Sequence, residues 1–233
     1  MLKVGFIGLG TMGFPIAGHI SQSYETAVFN RTTNKSQKWT SEFKGEVCES
    51  IKDLALKSNV IFLCLSEDKD IEEIVLGSDG IMEHLNEETI VVDHSTTSVD
   101  TATLISNELL KKDSIYLDAP VSGGEVGAQN GTLSVMIGGD QAAYIGISSI
   151  LECYSAFHKY MGPSGNGQLT KMINQICIAG LLQALAEAAS FSKKSGISSK
   201  DVLEVISKGA AQSWQMENRW DSMIDDQYNF GFA

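Results

Sequence analysis

Residues 4–17, VGFIGLGTMGFPIA, join a predicted strand, a glycine-rich turn and the start of a predicted helix. The turn contains Gly8, Gly10 and Gly13 at G-x-G-x-x-G spacing. Glycines at this spacing let the backbone approach a pyrophosphate, whose charge then lies at the N-terminus of the following helix. The same spacing also occurs in plain tight turns, but its place between a strand and a helix favours a dinucleotide site. The predicted cofactor-binding turn consists of Gly8, Leu9, Gly10, Thr11, Met12 and Gly13.

Apolar runs alternate with helical patterns beyond this turn. Most of the runs are continuous, as expected for strands that helices cover on both faces. This alternation predicts an α/β, Rossmann-type fold with a doubly wound, mostly parallel sheet. The predicted strands are 4–9, 26–30, 60–65, 89–95, 115–120 and 132–139, and the predicted helices are 12–22, 34–43, 50–57, 68–75, 98–111 and 141–152.

The pattern changes after GPSGNG at 162–167, the densest punctuation in the second half of the chain. Residues 168–194 then predict one long helix, and a shorter one follows with Ser198 and Asp201 at capping-box spacing. We therefore predict a dinucleotide-binding domain over 1–163 and an all-helical substrate and dimerisation domain over 164–233.

The long predicted helix is apolar over most of its girth, and one short companion cannot bury it. The sequence ends in YNFGFA, where Tyr228, Phe230 and Phe232 are apolar. We expect that this helical domain is incomplete here and that a second subunit covers the helix, as a homodimer or homotetramer.

Composition and charge narrow the function. Of the 233 residues, 43% are hydrophobic and 20% charged, and the net charge of −12 comes without a basic cluster, which argues against nucleic-acid binding. The cysteines form no CxxC or Cys/His cluster, which predicts reduced, buried thiols and no metal site. The N-terminal apolar run is too short for a signal peptide, and no run resembles a membrane span. We expect a cytoplasmic protein without a membrane partner.

The second predicted strand ends in Asn30, Arg31 and Thr32, where many NAD-binding proteins have an acid for the ribose 2′-hydroxyl. An arginine supplies charge and paired donors to a 2′-phosphate, whereas a carboxylate would repel it. A solvated arginine at a strand end is the plainer alternative. The segment favours NADP as cofactor and leaves NAD possible.

Two further predicted strands end in polar loops that carry Ser95, Thr96, and the run from Ser122 to Gly124. Open α/β sheets bind ligands at the carboxyl ends of their strands, and successive glycines can offer N–H groups to a carboxylate. These loops predict a site for a small anion beside the dinucleotide.

Lys171, Asn174 and Gln175 lie at i, i+3 and i+4 and so share one face of the long predicted helix. A lysine that snorkels at a domain seam is the structural alternative. Beside a nucleotide fold, a buried lysine with a lowered pKa is suited to general acid–base chemistry.

Three segments in order resemble the β-hydroxyacid dehydrogenase family, which includes 3-hydroxyisobutyrate dehydrogenase, tartronate semialdehyde reductase and glyoxylate/succinic semialdehyde reductase. They are GFIGLGTMGFPIA, DAPVSGG and GNGQLTKMINQ. The resemblance implies an NAD(P)-dependent oxidoreductase that interconverts a short 3-hydroxy acid and its semialdehyde. The resemblance also implies that Lys171 is catalytic and that the substrate carboxylate is held by Ser122, Gly123, Gly124 and Asn174. Gln175 stands where the family has a second asparagine. For the cofactor, the resemblance implies that Thr96 lies at the nicotinamide ribose and Leu65 near the adenosine.

Two alternatives stay open. A 6-phosphogluconate dehydrogenase-like enzyme would carry a histidine three residues after the lysine, where this chain has Asn174. A nucleotide-binding module with a regulatory or scaffolding role would be expected to lose Lys171. His94, in the loop beside Ser95, is expected to be a packing residue rather than a proton shuttle.

Overall fold

The computed structural model describes residues 2–228, so the predictions made for Phe230 and Phe232 lie outside the described residues. The chain divides into two compact units, Met1–Lys171 and Met172–Ala233. The first turns of the long helix therefore belong to the first unit, together with Lys171.

The first unit is built on one sheet. Its parallel strands are β1 Lys3–Ile7, β2 Glu25–Phe29, β3 Glu46–Val47, β4 Val60–Leu63, β5 Ile90–Asp93 and β6 Ile115–Asp118, and the later strands are β7 Val121–Ser122, β8 Leu133–Gly139 and β9 Ser155–Gly162. Among the described residues these strands form a nine-stranded sheet in the order β3-β2-β1-β4-β5-β6-β8-β7, with β9 beside β8. The order reverses at β1, and the strands from β3 to β6 are parallel, which confirms the Rossmann-type, doubly wound prediction.

Helices follow most of the strands. They are α1 Gly13–Ile20, α2 Thr33–Glu42, α3 Ile51–Lys57, α4 Asp68–Leu76, α5 Val99–Leu110, α6 Gly124–Asn130, α7 Gln141–Gly146, α8 Ser148–Leu151, α9 Asn166–Ser195, α10 Ser199–Ile206 and α11 Trp214–Ile224, with a 3-10 turn at Ile81–His84. Alternate residues of β1 enter two different hydrophobic clusters, with Phe6 in one and Ile7 in the other. Both faces of the sheet are therefore buried, which explains the continuous apolar runs.

Several elements differ from the sequence predictions. The predicted strand 132–139 runs antiparallel to β6 and β7. The predicted helix 141–152 is two short helices, which meet at Ile147. The sequence analysis missed β9, whose partly exposed residues form no apolar run, and α6, whose two glycines weaken the helical pattern. The expectation of uniformly buried thiols is wrong for Cys177, which is exposed.

The second unit contains most of α9 with α10 and α11. Its small core includes Leu185, Ala189, Met216 and Trp220, and the Trp220 indole N–H donates to the Ser199 carbonyl at 3.1 Å. The predicted cap of α10 is confirmed, because Ser198 Oγ accepts from the backbone N–H of Asp201.

The long helix α9 leaves apolar side chains uncovered. Ile173, Ile176 and Phe191 are 62%, 73% and 72% exposed. Within residues 2–228, this is the one helix whose length and composition would suffice to cross a membrane. Core helices of soluble proteins can meet the same two criteria.

Candidate active site

The glycine turn at the carboxyl end of β1 is shaped by contacts that exclude side chains. Gly8 has a φ of +98°, and a Cβ there would lie 2.9 Å from the Leu65 side chain. A Cβ on Gly13 would overlap the Gly8 carbonyl oxygen, so α1 can pack against the turn only without one. A Cβ on Gly10, by contrast, would have no neighbouring atom within 4 Å outside the adjacent residues. The turn therefore leaves room for a ligand at Gly10, as a pyrophosphate requires.

The two residues after β2 have different surroundings: Asn30 is hydrogen-bonded to the backbone, and Arg31 is an exposed cation. Asn30 Oδ1 accepts from the Leu9 N–H at 2.8 Å, and Asn30 Nδ2 donates to the Thr32 carbonyl at 3.1 Å. Asn30 therefore ties the glycine turn to the next loop. The Arg31 side chain is 90% exposed, and its Nη1 lies 3.9 Å from a carboxylate oxygen of Asp70 in α4. A guanidinium held this loosely can bind a 2′-phosphate.

The loop after β5 presents one exposed residue between two buried ones. Ser95 and Thr97 are buried, whereas Thr96 is exposed. The Ser95 hydroxyl accepts from the Leu65 N–H at 2.8 Å and so joins the loops after β4 and β5. Leu65 and Thr96 thus lie on connected loops at the carboxyl edge of the sheet, where the cofactor residues were predicted.

The segment after β6 turns sharply into α6. Gly123 and Gly124 have φ values of +133° and +62°, which favour glycine strongly. Ser122 is partly exposed at the end of β7. The segment places Ser122 and Gly123 directly before α6, whose first residue is Gly124.

Lys171 approaches this same segment. Its Nζ donates to the Val121 carbonyl at 2.9 Å. The side chain is half-buried, and this burial lowers the pKa of the ammonium group below its ordinary value. The structure therefore brings the predicted catalytic lysine to the residue before Ser122, fifty positions away in the chain.

Asn174 and Gln175 follow one turn later on α9, in the second unit. Asn174 Nδ2 donates to Gln175 Oε1 at 2.9 Å. Their assignment to the substrate stays a prediction.

His94 lies in the core of the first unit. Its Nδ1 is 2.6 Å from the Ala119 carbonyl oxygen and its Nε2 is 2.7 Å from the Tyr154 hydroxyl. Burial lowers the pKa of the imidazole to about 4. These contacts give His94 a packing role, as the sequence analysis expected.

Sequence reasoning missed two buried polar residues near Lys171. Asp118, at the end of β6, accepts backbone N–H groups from the start of α9, and Gln168 bonds to the loop after β5. A carboxylate inside the otherwise apolar run IYLDAP was the one available signal, because an acid in such a run needs buried partners. Over the described part of the chain, no three histidine, cysteine or acidic side chains gather as a metal site would require.

The fold and this site define the class, a dinucleotide-binding α/β protein with a helical second unit. Residues 3–162 match the family model described as the NAD binding domain of 6-phosphogluconate dehydrogenase. Residues 165–233 match the model described as NAD-binding of NADP-dependent 3-hydroxyisobutyrate dehydrogenase. The chain belongs to the 3-hydroxyisobutyrate dehydrogenase family of oxidoreductases, also called β-hydroxyacid dehydrogenases.

Individual relatives agree with this assignment. An uncharacterized oxidoreductase of Shewanella frigidimarina is 48% identical over 100% of this chain and 80% of its own length. The 2-hydroxy-3-oxopropionate reductase of Escherichia coli is 31% identical over 99% of this chain and 79% of its own length. A structure titled Psf3 in complex with NADP+ and 2-OPP has a TM-score of 0.90 and 26% identity, and covers 98% of this chain and 81% of that one.

Proposed function

We propose that the protein interconverts a short 3-hydroxy acid and its semialdehyde with NADP as cofactor and Lys171 as general acid and base. One observation carries the proposal: the half-buried Lys171 ammonium group donates to the Val121 carbonyl, directly before Ser122. The cation is therefore next to the segment that is expected to hold the substrate carboxylate.

The chemistry follows from that position. The bound dihydronicotinamide supplies the hydride. As negative charge develops on the carbonyl oxygen, the Lys171 ammonium group stabilises it and donates a proton to it. In the oxidative direction the neutral amine accepts the proton of the hydroxyl group. The lowered pKa makes both forms of Lys171 accessible at a pH nearer to neutrality.

The substrate carboxylate is assigned to the turn at Ser122, Gly123 and Gly124. Backbone N–H groups at a helix start, together with a serine hydroxyl, are suited to an anion. The name of the Escherichia coli relative, 2-hydroxy-3-oxopropionate reductase, supports a small carboxylated semialdehyde. Tartronate semialdehyde is the candidate of this class; succinic semialdehyde and glyoxylate, whose reduction gives a 4-hydroxy and a 2-hydroxy acid, are the related aldehydes to compare with it.

NADP is proposed over NAD because of Arg31. Its guanidinium is exposed, and Asp70 lies 3.9 Å from it. The NADP+ named in the Psf3 structure and the NADP-dependent family model both support this preference.

We also propose that the protein is a homodimer or homotetramer assembled through the helical unit. The uncovered apolar side chains of α9, with Ile173 and Ile176 both more than 60% exposed, support this assembly. Sedimentation of the purified protein tests it.

The test of the reaction is a spectrophotometric assay. NADPH oxidation is followed with tartronate semialdehyde, succinic semialdehyde and glyoxylate, and NADP reduction with 3-hydroxyisobutyrate, 3-hydroxypropionate and L-serine. Turnover of at least one of these six compounds is expected, and it should be faster with NADPH or NADP than with NADH or NAD. NADPH binding without turnover of any of them would contradict the proposal and favour a regulatory module.

A further inference from the structure

Asp118 acts as a remote cap for the helix that carries Lys171. Its side chain is fully buried. Asp118 Oδ1 accepts from the Gly165 N–H at 2.8 Å and Oδ2 accepts from the Gln168 N–H at 3.0 Å. These amides lie at the start of α9, where N–H groups have no partner within the helix and where a negative charge is favourable. A carboxylate from 47 to 50 positions away in the chain therefore fixes where α9 begins.

Two glycines enclose this carboxylate. A Cβ on Gly138, in β8, would lie 2.6 Å from Asp118 Oδ1. A Cβ on Gly167, in the first turn of α9, would lie 2.8 Å from Asp118 Oδ2. The carboxylate is thus closely flanked by β8 and α9, and a methyl group on either glycine would be too close to it.

Gln168 extends the connection to the loop after β5. Its side chain is fully buried, its Oε1 accepts from the Thr97 N–H at 3.2 Å, and its Nε2 donates to the Ser95 carbonyl at 2.9 Å. These two backbone groups flank Thr96. One side chain therefore fixes the loop that presents Thr96, three residues before Lys171 on the same helix.

We propose that Gln168 and Asp118 are positioning residues, which hold the Lys171 ammonium group in register with Thr96 and with the segment that begins at Val121. The meaning of this register for catalysis rests on the proposed function. The backbone of Gln168 is held by Asp118 and its side chain holds the Thr96 loop, so a change at either residue moves the start of α9 against that loop. A displacement of about 1 Å in a catalytic group can lower a rate about 10²-fold.

The contacts of Lys171 make this displacement measurable. The pKa of its ammonium group is lowered by burial, and the group donates a hydrogen bond to the Val121 carbonyl. An ammonium group that leaves this place gains water, so its pKa returns toward the ordinary lysine value.

The first test replaces Gln168 with Met, which keeps the length of the side chain and removes both hydrogen bonds. Competitive acetylation with acetic anhydride over the alkaline pH range, read by peptide mass spectrometry, gives the pKa of Lys171 directly. The Gln168→Met variant is expected to raise this pKa and to lower kcat by about 10–100-fold. The alkaline limb of the reductive pH–rate profile should move upward with it, because reduction requires protonated Lys171.

The matched control is Gln129→Met on α6. Gln129 is exposed and its amide bonds to Glu125 at 3.0 Å, so this change should leave the Lys171 pKa and turnover unaltered. The second variant, Asp118→Asn, keeps the volume between the two glycines but loses one of the two acceptors. It should raise the Lys171 pKa by less than Gln168→Met does, and it decides the question if the methionine variant does not fold.

A Lys171 pKa equal to that of the wild type in the folded variants would overturn the positioning role, whatever happens to turnover. A lower rate with an unmoved pH profile would do the same, since it would reveal only a loss of active protein. The labelling does not depend on activity. If the wild-type protein shows no turnover, the proposed function is contradicted, and the labelling still decides whether Gln168 and Asp118 position Lys171.

Discussion

The glycine turn after β1 and the start of α9 are assembled in opposite ways. The turn is built from residues 8–13, and its tightest constraint, the contact of a Gly13 Cβ with the Gly8 carbonyl oxygen, lies within the motif itself. The start of α9 depends on Asp118 and on Ser95 and Thr97, which lie 47 to 73 positions away. The expected cofactor site is thus a local motif, whereas the place of the expected catalytic group is set by tertiary contacts. The first can be read in a sequence, and the second becomes visible only in a folded chain.

The largest expected effect is at the start of α9, the region that depends on tertiary contacts. Lys171→Ala removes the proton donor and should lower kcat by about 10²–10⁴-fold, the usual contribution of general acid–base catalysis. NADPH binding, which depends on the turn, should change little, as fluorescence titration would reveal. Lys159→Ala, at an exposed site on β9, is the control. Near-normal turnover in the Lys171 variant would refute the mechanism.

The next largest effect is at the expected cofactor site. Arg31→Ala should weaken NADPH binding by about 10–100-fold, because a hydrogen-bonded charge pair with the 2′-phosphate is lost. NADH binding should stay nearly constant, since it lacks that phosphate. Dissociation constants for both cofactors provide the measurement. Equal losses for the two would remove the 2′-phosphate assignment.

A smaller effect separates two glycines of the same turn. Gly13→Ala places a Cβ against the Gly8 carbonyl and should destabilise the fold by about 1–3 kcal/mol, the usual range for overpacking. Gly10→Ala meets open space, so its free energy of unfolding should stay near that of the wild type while NADPH binding weakens. Urea unfolding of both variants checks this. Similar losses of stability in the two variants would contradict the assignment of Gly13 to packing and of Gly10 to ligand access.

The smallest effect concerns the partner of Arg31. Asp70→Asn removes a carboxylate 3.9 Å from the guanidinium, which would compete with a bound 2′-phosphate. Because exposed ion pairs contribute about 0–1 kcal/mol, NADPH affinity should rise by at most about 5-fold. NADH affinity is the internal control. A loss of NADPH affinity would show that Asp70 supports the site instead.

The sequence predicted what local pattern encodes. The strands from β1 to β6, apart from the two-residue β3, were found because buried parallel strands are continuous apolar runs. The cap of α10 was found because its two partners are three positions apart. Strand β9 was missed, since its residues are partly exposed and its register follows from pairing with β8.

The same limit applied to the site. Gly8, Gly10, Gly13 and Lys171 were predicted as site residues from motifs of a few residues. Asp118 and Gln168 were not, because each takes its meaning from partners that only the folded sheet brings near. Asn30 was predicted, together with Arg31 and Thr32, to suit a 2′-phosphate; the structure adds that its side-chain amide bridges Leu9 and Thr32.

That bridge has a consequence for redesigning coenzyme choice. The obvious route to an NAD-preferring variant puts an acid at the end of the second strand, and Asn30→Asp would do so. An aspartate could still accept from the Leu9 N–H, but it would turn an oxygen toward the Thr32 carbonyl, which Asn30 now satisfies as a donor. A change of coenzyme preference is therefore better begun at Arg31, because its side chain can be exchanged without loss of the hydrogen bonds that hold the glycine turn.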